Sequence, residues 1–168
     1  MADDLVQRMV EASELHGAFM LSSGRTSSVY FDKFRFLTRP DLLRDVAHAV
    51  AGLLAPGTQL LGAPEGAAML LVAAVSLETG LPVSIVRKQP KEYGTKAQVE
   101  GNVDAGAATT LIEDVSTTGH QVRRAAEVLI EAGADVRRIV LVIDRGGAEH
   151  LREAGYDVAA VAVLRPTE

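Results

Sequence analysis

Thr110-Leu111-Ile112-Glu113-Asp114-Val115-Ser116-Thr117-Thr118-Gly119 joins a short apolar run to two adjacent carboxylates and then to a loop of small hydroxyl residues closed by glycine. An apolar pattern of helical period begins directly afterwards. The combination predicts a buried strand at 109–114 that delivers acids to the carboxyl edge of a sheet. The loop behind it can wrap a phosphate with backbone N–H groups, with a helix N-terminus in support. Successive strand residues point to opposite faces, so Glu113 and Asp114 can serve one ligand only where the strand ends. Carboxylates beside a phosphate cradle suit a phosphorylated sugar: acids for its hydroxyls and Mg²⁺, amides for its phosphate. The dipeptide alone admits a plainer role, an acid pair favouring the positive end of the next helix. The loop Ser116-Thr117-Thr118-Gly119 weighs against that role.

Outward from this segment the chain alternates strand and helix. The pattern gives a strand near 59–62, a helix at about 66–78, a strand at 83–87 and a polar loop at 88–106. After 109–114 come a helix to about Ala132 with Gly133 as its C-cap, a strand at 139–144, a short helix at 148–154 and a strand at 158–164. Such alternation predicts an α/β fold, a mostly parallel twisted sheet flanked by helices and built from right-handed βαβ units. The first 58 residues break the rhythm. Asp3 and Asp4 open an amphipathic helix, Val29-Tyr30-Phe31 reads as a strand, and Pro40 starts a helix striped by Leu43, Val46, Val50 and Leu53. The expected organisation is one domain over 1–168, with N-terminal helices and a small hood at 1–58 and an α/β core at 59–168. Ligands of such sheets bind at the carboxyl edge.

Composition narrows the classes. With 168 residues, 48% apolar, 4% aromatic and no tryptophan, the core is built from Ala, Val, Leu and Ile, as buried parallel strands require. A formal charge of −5 argues against nucleic acid as a partner. The absence of cysteine removes disulfides and thiolate metal sites. The chain has no membrane-length apolar run, and its N-terminus lacks a basic segment leading into an apolar core. The expectation is a cytoplasmic protein without membrane partners.

Apolar positions followed by Glu113-Asp114 and Thr117-Thr118-Gly119 resemble the phosphoribosyl-diphosphate (PRPP) signature of type I phosphoribosyltransferases. The resemblance implies that Glu113 and Asp114 hold ribose hydroxyls, with Asp114 in a catalytic role. Val115, Ser116, Thr117, Thr118, Gly119, His120 and Gln121 would hold the 5′-phosphate. Direct protein ligands to Mg²⁺ are not expected, because the ion travels with PRPP and water. The signature does not choose the base.

A second constellation, Arg87-Lys88-Gln89-Pro90-Lys91-Glu92-Tyr93-Gly94, leaves the end of a strand and enters the long polar loop. By composition it is also compatible with a solvated surface loop. Cations preorganised there can stabilise a departing pyrophosphate, and a closing loop excludes water. The run resembles the catalytic loop of orotate phosphoribosyltransferases. By that resemblance Arg87 and Lys91 are catalytic, Arg87, Lys88, Lys91 and Tyr93 bind PRPP, and the chain forms a homodimer with residues 88–101 shared in trans. Two further segments point to orotate. Phe19 to Ser27, with its Leu-Ser-Ser-Gly core, looks like the family's N-terminal segment. It leads into Tyr30-Phe31-Asp32, which resembles the orotate-stacking strand. Arg145, in an Asp-Arg pair after a strand, stands where the family arginine meets the orotate carboxylate, a bidentate pairing. Its plainer alternative is a surface pair with Asp144 or Glu149. Thr117, Arg145, Tyr30 and Phe31 are thus the implied orotate contacts.

Departures from the pattern are Ser22 and Glu65, each where many bacterial relatives carry Lys, Ala68 in place of a proline, and His120 in place of a small residue. His16, His48 and His150 have no evident partners and read as structural. The implied activity is transfer of ribose 5-phosphate from PRPP to orotate. A transferase for another base and a non-catalytic PRPP sensor remain open.

Overall fold

The computed structural model describes residues 2–20, 24, 26–92 and 97–164. Its centre is β6 (Ala108–Ser116), whose parallel neighbours are β3 (Leu60–Pro64) and β7 (Asp135–Asp144). β4 (Val83–Val86) lies beyond β3 and β8 (Val158–Val163) beyond β7, both parallel. A two-residue strand, β5 (Val99–Glu100), pairs antiparallel with the outer edge of β4. The sheet order is therefore β5-β4-β3-β6-β7-β8. A separate antiparallel hairpin joins β1 (Glu14–Met20) to β2 (Thr26–Phe31).

Strand alternation explains both faces. Leu111, Ile139 and Leu141 turn toward α5 (His120–Glu131) and α6 (Gly147–Glu153), packing with Val122, Ala126, Leu129 and Leu151. Ile112, Val140 and Val142 turn the other way, toward Met9, Phe36, Leu42, Val46, Leu71 and Val75. Those residues belong to α1 (Ala2–Ser13), α2 (Phe34–Leu37), α3 (Pro40–Ala51) and α4 (Ala68–Thr79). Covered on both sides, the strands must be apolar nearly throughout, and β3 is buried at all five positions. Pro40 occupies the first turn of α3, where its missing N–H costs nothing. Arg8 clamps α1 to α3 through Asp45 at 2.7 Å.

Several boundaries differ from the sequence expectation for physical reasons. β6 runs past the acids to Ser116, because Val115 and Ser116 pair with Ile143 and Asp144. β7 starts at Asp135, not Ile139: three of its first four residues are charged and none of the four is fully buried, yet their backbone still pairs with β6. The polar stretch after β4 is not wholly a loop. Arg87 N–H donates to Gln98 O at 2.8 Å and Lys91 N–H to Ala97 O at 3.2 Å, folding the chain back as β5. β1 and α2 escape sequence reading because β1 is exposed at most positions and α2 spans one turn. Among the described residues no helix is long and apolar enough to cross a membrane.

Candidate active site

β6 carries Glu113 and Asp114 into the protein rather than onto its surface, at 4% and 1% exposure. Both line a polar cavity of about 150 Å³ together with Lys33 and residues 115–122. The strand-to-helix loop forms its floor. Gly119 adopts φ 77° and is the N-cap of α5, so the cap residue has no side chain to satisfy the first turn; His120 N–H makes only a long 3.5 Å hydrogen bond to Thr118 Oγ1. The loop lies against the start of α6. A Cβ on Gly147 would stand 2.1 Å from Ser116 Oγ, so only glycine lets the two segments meet. Arg145 N–H donates to Ser116 O at 2.8 Å, and Asp144 Oδ1 accepts from the N–H groups of Gly146 and Ala148. Asp144 is therefore a cap for α6 that stiffens the loop, a role invisible in the Asp-Arg dipeptide.

The acid pair is electrostatically unequal. Burial, and then the neighbouring Asp114, push the Glu113 carboxyl up to about 9, so it is protonated at neutral pH. Its Oε1 accepts the Asp114 N–H at 3.1 Å. The single negative charge rests on Asp114, whose Oδ2 meets Lys33 Nζ at 2.7 Å. That oxygen is buried and accepts no well-aligned hydrogen bond among the described residues, so its contact with Lys33 is ionic. Sequence reading passed over Lys33; the available signal was a cation directly after Tyr30-Phe31-Asp32. No cluster of three His, Cys, Asp or Glu side chains that could cage a metal occurs among the described residues. One ionised acid beside a phosphate cradle fits an Mg²⁺ ion carried in by a substrate diphosphate and met through water.

The cationic segment stands apart from this cavity. Lys91 Nζ is 2.6 Å from Glu100 Oε1, and Arg87 Nη1 is 3.6 Å from the same oxygen. Glu100, on β5, was not singled out in the sequence. Arg87, Lys88 and Lys91 line a pocket of about 310 Å³ with Glu65 and Glu92. Arg87 and Lys88 also face His120, Gln121 and Arg124 across an adjoining pocket of about 330 Å³. So the structure brings Arg87 and Lys88 up to the end of the phosphate loop, whereas Lys91 does not line the cavity of Glu113 and Asp114. The buried Arg87 Nε has no acceptor among the described residues. Tyr93 and the Ser22 position lie outside the described residues.

The departures now have places. Glu65 Oε1 accepts the Lys88 N–H at 2.8 Å, so its charge is spent on fixing the base of the cationic loop. Ala68 is the first residue of α4, where proline and alanine are both well accommodated. His120 is the first residue of α5 and is exposed.

Strand alternation separates the two aromatic residues of β2. Phe31 packs on the core and on Phe36 at 6.4 Å between ring centroids, while Tyr30 is 43% exposed and tilts against Phe19 at 5.6 Å. Arg145 is half-buried and makes no ion pair among the described residues, so the surface pair with Asp144 or Glu149 is not formed. His16 and His48 do have partners: they lie 3.1 Å from Glu14 and 2.9 Å from Glu78, contacts that the intervening sequence concealed.

No family model matches the chain. Similar proteins are nonetheless evident. The orotate phosphoribosyltransferase of Halobacterium salinarum is 42% identical over 162 residues, covering 95% of this chain and 92% of its own. That of a Nocardioides species is 47% identical over 149 residues, covering 88% and 83%. Among solved structures, Mycobacterium tuberculosis orotate phosphoribosyltransferase superposes with a TM-score of 0.86 at 27% identity, over 97% of this chain and 96% of its own. A fold with helices on both sides of a mostly parallel sheet, an acid pair above a glycine-closed loop and relatives of this length and identity lead to one conclusion: the chain belongs to the orotate phosphoribosyltransferase family.

Proposed function

We propose that this chain transfers the ribose 5-phosphate of PRPP to N1 of orotate, giving orotidine 5′-phosphate and pyrophosphate, the step that forms the pyrimidine nucleotide in UMP biosynthesis. The observation that carries the proposal is the cavity in which one ionised and one protonated carboxyl overhang a glycine-closed loop. Asp114 accepts from the ribose hydroxyls, and neutral Glu113 can both donate and accept. Val115, Ser116, Thr117, Thr118, Gly119, His120 and Gln121 surround the 5′-phosphate.

The C1–O bond loosens first, and N1 of orotate attacks the cationic ribosyl carbon from the opposite face. At neutral pH the charge of orotate lies on its carboxylate and N1 carries a proton, which leaves to the departing pyrophosphate or to water as the N1–C1 bond forms. Arg87, Lys88, Lys91 and Tyr93 stabilise the charge that collects on pyrophosphate. Mg²⁺, held mainly by PRPP and water, supplies further charge neutralisation on the leaving group. Arg145 engages the orotate carboxylate, while Thr117 and Tyr30 bound the base and Phe31, packed on the core, supports the strand that carries Tyr30. Within one chain Lys91 is paired with Glu100, which suits a loop, residues 88–101, that serves the site of a second copy. The outward Met69, Leu70 and Leu77 of α4 leave an apolar face for such a homodimer. The compartment in this reading is the cytoplasm, and the organisation is one domain with its hood at 1–58.

The test follows orotate absorbance with purified protein, PRPP and Mg²⁺. A fall in orotate signal matched by pyrophosphate release is the expected result. Pyrophosphate release with uracil, hypoxanthine or adenine and none with orotate would overturn the base assignment, and PRPP binding without release for any base would overturn the enzyme reading.

A further inference from the structure

Lys33 enters the active-site cavity from a part of the chain remote in sequence from the acids. Its placement is fixed by the turn that bears it. Asp32 N–H donates to Ser13 O at 2.9 Å, and Asp32 Oδ1 accepts the Phe34 N–H at 3.1 Å. The turn is thus tied to the end of α1 on one side and to α2 on the other, with Lys33 at the N-cap position of α2. From there Nζ reaches Asp114 Oδ2 at 2.7 Å.

Two features separate this contact from an ordinary structural ion pair. First, Asp114 is buried at 2% side-chain exposure while Lys33 keeps 37%, so the ammonium forms part of the wall that a ligand meets. An ammonium has three N–H donors; its contact with Asp114 is ionic, without a well-aligned hydrogen bond, and no second acid pairs with Lys33 among the described residues. Second, the remaining lining consists of the acids, loop residues 115–119, His120, Gln121 and Val122. Among the described lining residues Lys33 is the one permanently charged cation.

A sugar 5′-phosphate brings two negative charges into a cavity that already holds ionised Asp114. Amides and hydroxyls can solvate that phosphate but cannot cancel the repulsion between the two anions. A cation standing between them can.

We propose that Lys33 is a substrate-binding residue that bridges Asp114 and the 5′-phosphate of the ribosyl donor, linking the N-terminal hood to the phosphate loop. The proposal rests on the sugar-phosphate reading of the cavity given above. In the free protein Lys33 holds the Asp114 carboxylate in place through the 2.7 Å ion pair. In the complex it keeps that contact and gives its spare donors to the phosphate.

The test is calorimetric titration of ribose 5-phosphate, and separately of inorganic pyrophosphate with Mg²⁺, into the wild type, Lys33→Met and Lys33→Arg. Met retains the length and apolar stem of Lys without the charge. For Lys33→Met the expected result is a loss of ribose 5-phosphate affinity of about tenfold or more, with pyrophosphate affinity unchanged. Lys33→Arg should recover most of the loss. Unchanged or tighter ribose 5-phosphate binding by Lys33→Met overturns the proposal, as does an equal loss for both ligands, which would mark a merely structural role. A wild type that binds neither ligand would overturn the sugar-phosphate reading together with it, whereas a binding wild type and an unaffected Lys33→Met would remove Lys33 alone.

Discussion

Replacing Glu113 by Gln isolates the energetic cost of keeping a carboxyl protonated inside the active site. The Glu113 carboxyl is 4% exposed and titrates at about 9, against 4.5 for the free side chain, chiefly because burial disfavours the anion. Between these values the folded protein holds a proton that the unfolded chain releases. Unfolding free energy therefore falls as pH rises through this window. At pH 7 the cost for the wild type reaches at most about 3 kcal/mol. Gln resembles the protonated acid in shape and needs no such proton, so Glu113→Gln should be more stable than wild type at neutral pH by up to about that amount. Near pH 4.5, where the folded wild type and about half of its unfolded chains bind the proton, the gain should shrink to a few tenths of a kcal/mol. Urea unfolding at pH 4.5 and 7.5, followed by circular dichroism, measures both differences. A stability difference that does not depend on pH, or a variant less stable than wild type at pH 7.5, would refute the assignment of a neutral Glu113. Catalysis should follow the same titration. The alkaline loss of kcat/KM for PRPP near pH 9 in the wild type should be absent from the variant, since a second anion can no longer form beside the substrate phosphate.

Lys91→Ala should cut turnover far more than it raises the KM for PRPP, because its charge acts on pyrophosphate as the bond breaks; equal turnover would remove the role. Mixing inactive Lys91→Ala with inactive Asp114→Asn should restore up to about a quarter of the activity if the loop serves the partner site in a dimer, and none if it acts within one chain. Gly147→Ala should destabilise by about 1–3 kcal/mol through overpacking, since the new Cβ would collide with Ser116 Oγ at 2.1 Å. The same variant should raise the KM for PRPP by displacing the phosphate loop, which thermal melts and steady-state assays can check together. Arg145→Gln should weaken orotate by about tenfold or more while leaving PRPP affinity unchanged, and a parallel loss for both substrates would contradict its assignment.

The features legible in the sequence are those set by neighbouring residues. Apolar runs of strand length, the 3.6-residue stripes of α3 and α5, and the glycine after Thr117-Thr118 are local signals, and they placed the parallel sheet and the strand-to-helix loop after its central strand. Glu113-Asp114 stood out because two adjacent carboxylates in an apolar run have few structural uses. The hairpin of β1 and β2 was only half visible, since its exposed strands carry no alternation strong enough to declare them. The return of the chain as β5 was hidden because backbone pairing along a sheet edge asks little of side chains. Phe31 and Tyr30 read as one aromatic platform until the pleat sent one into the core and the other outward.

The mostly parallel sheet and its flanking helices were thus determined by the sequence itself, because period, turn chemistry and residue type act over a few positions, whereas the order of the strands was not. Tertiary structure alone decided the charge state of the site. Desolvation of Glu113 depends on everything folded around it, the Lys33–Asp114 pair on a hood brought from a distant part of the chain, and the pairing of Lys91 on Glu100 returning along the sheet edge. Electrostatic energy is a property of three-dimensional surroundings, and no local pattern of residues encodes it.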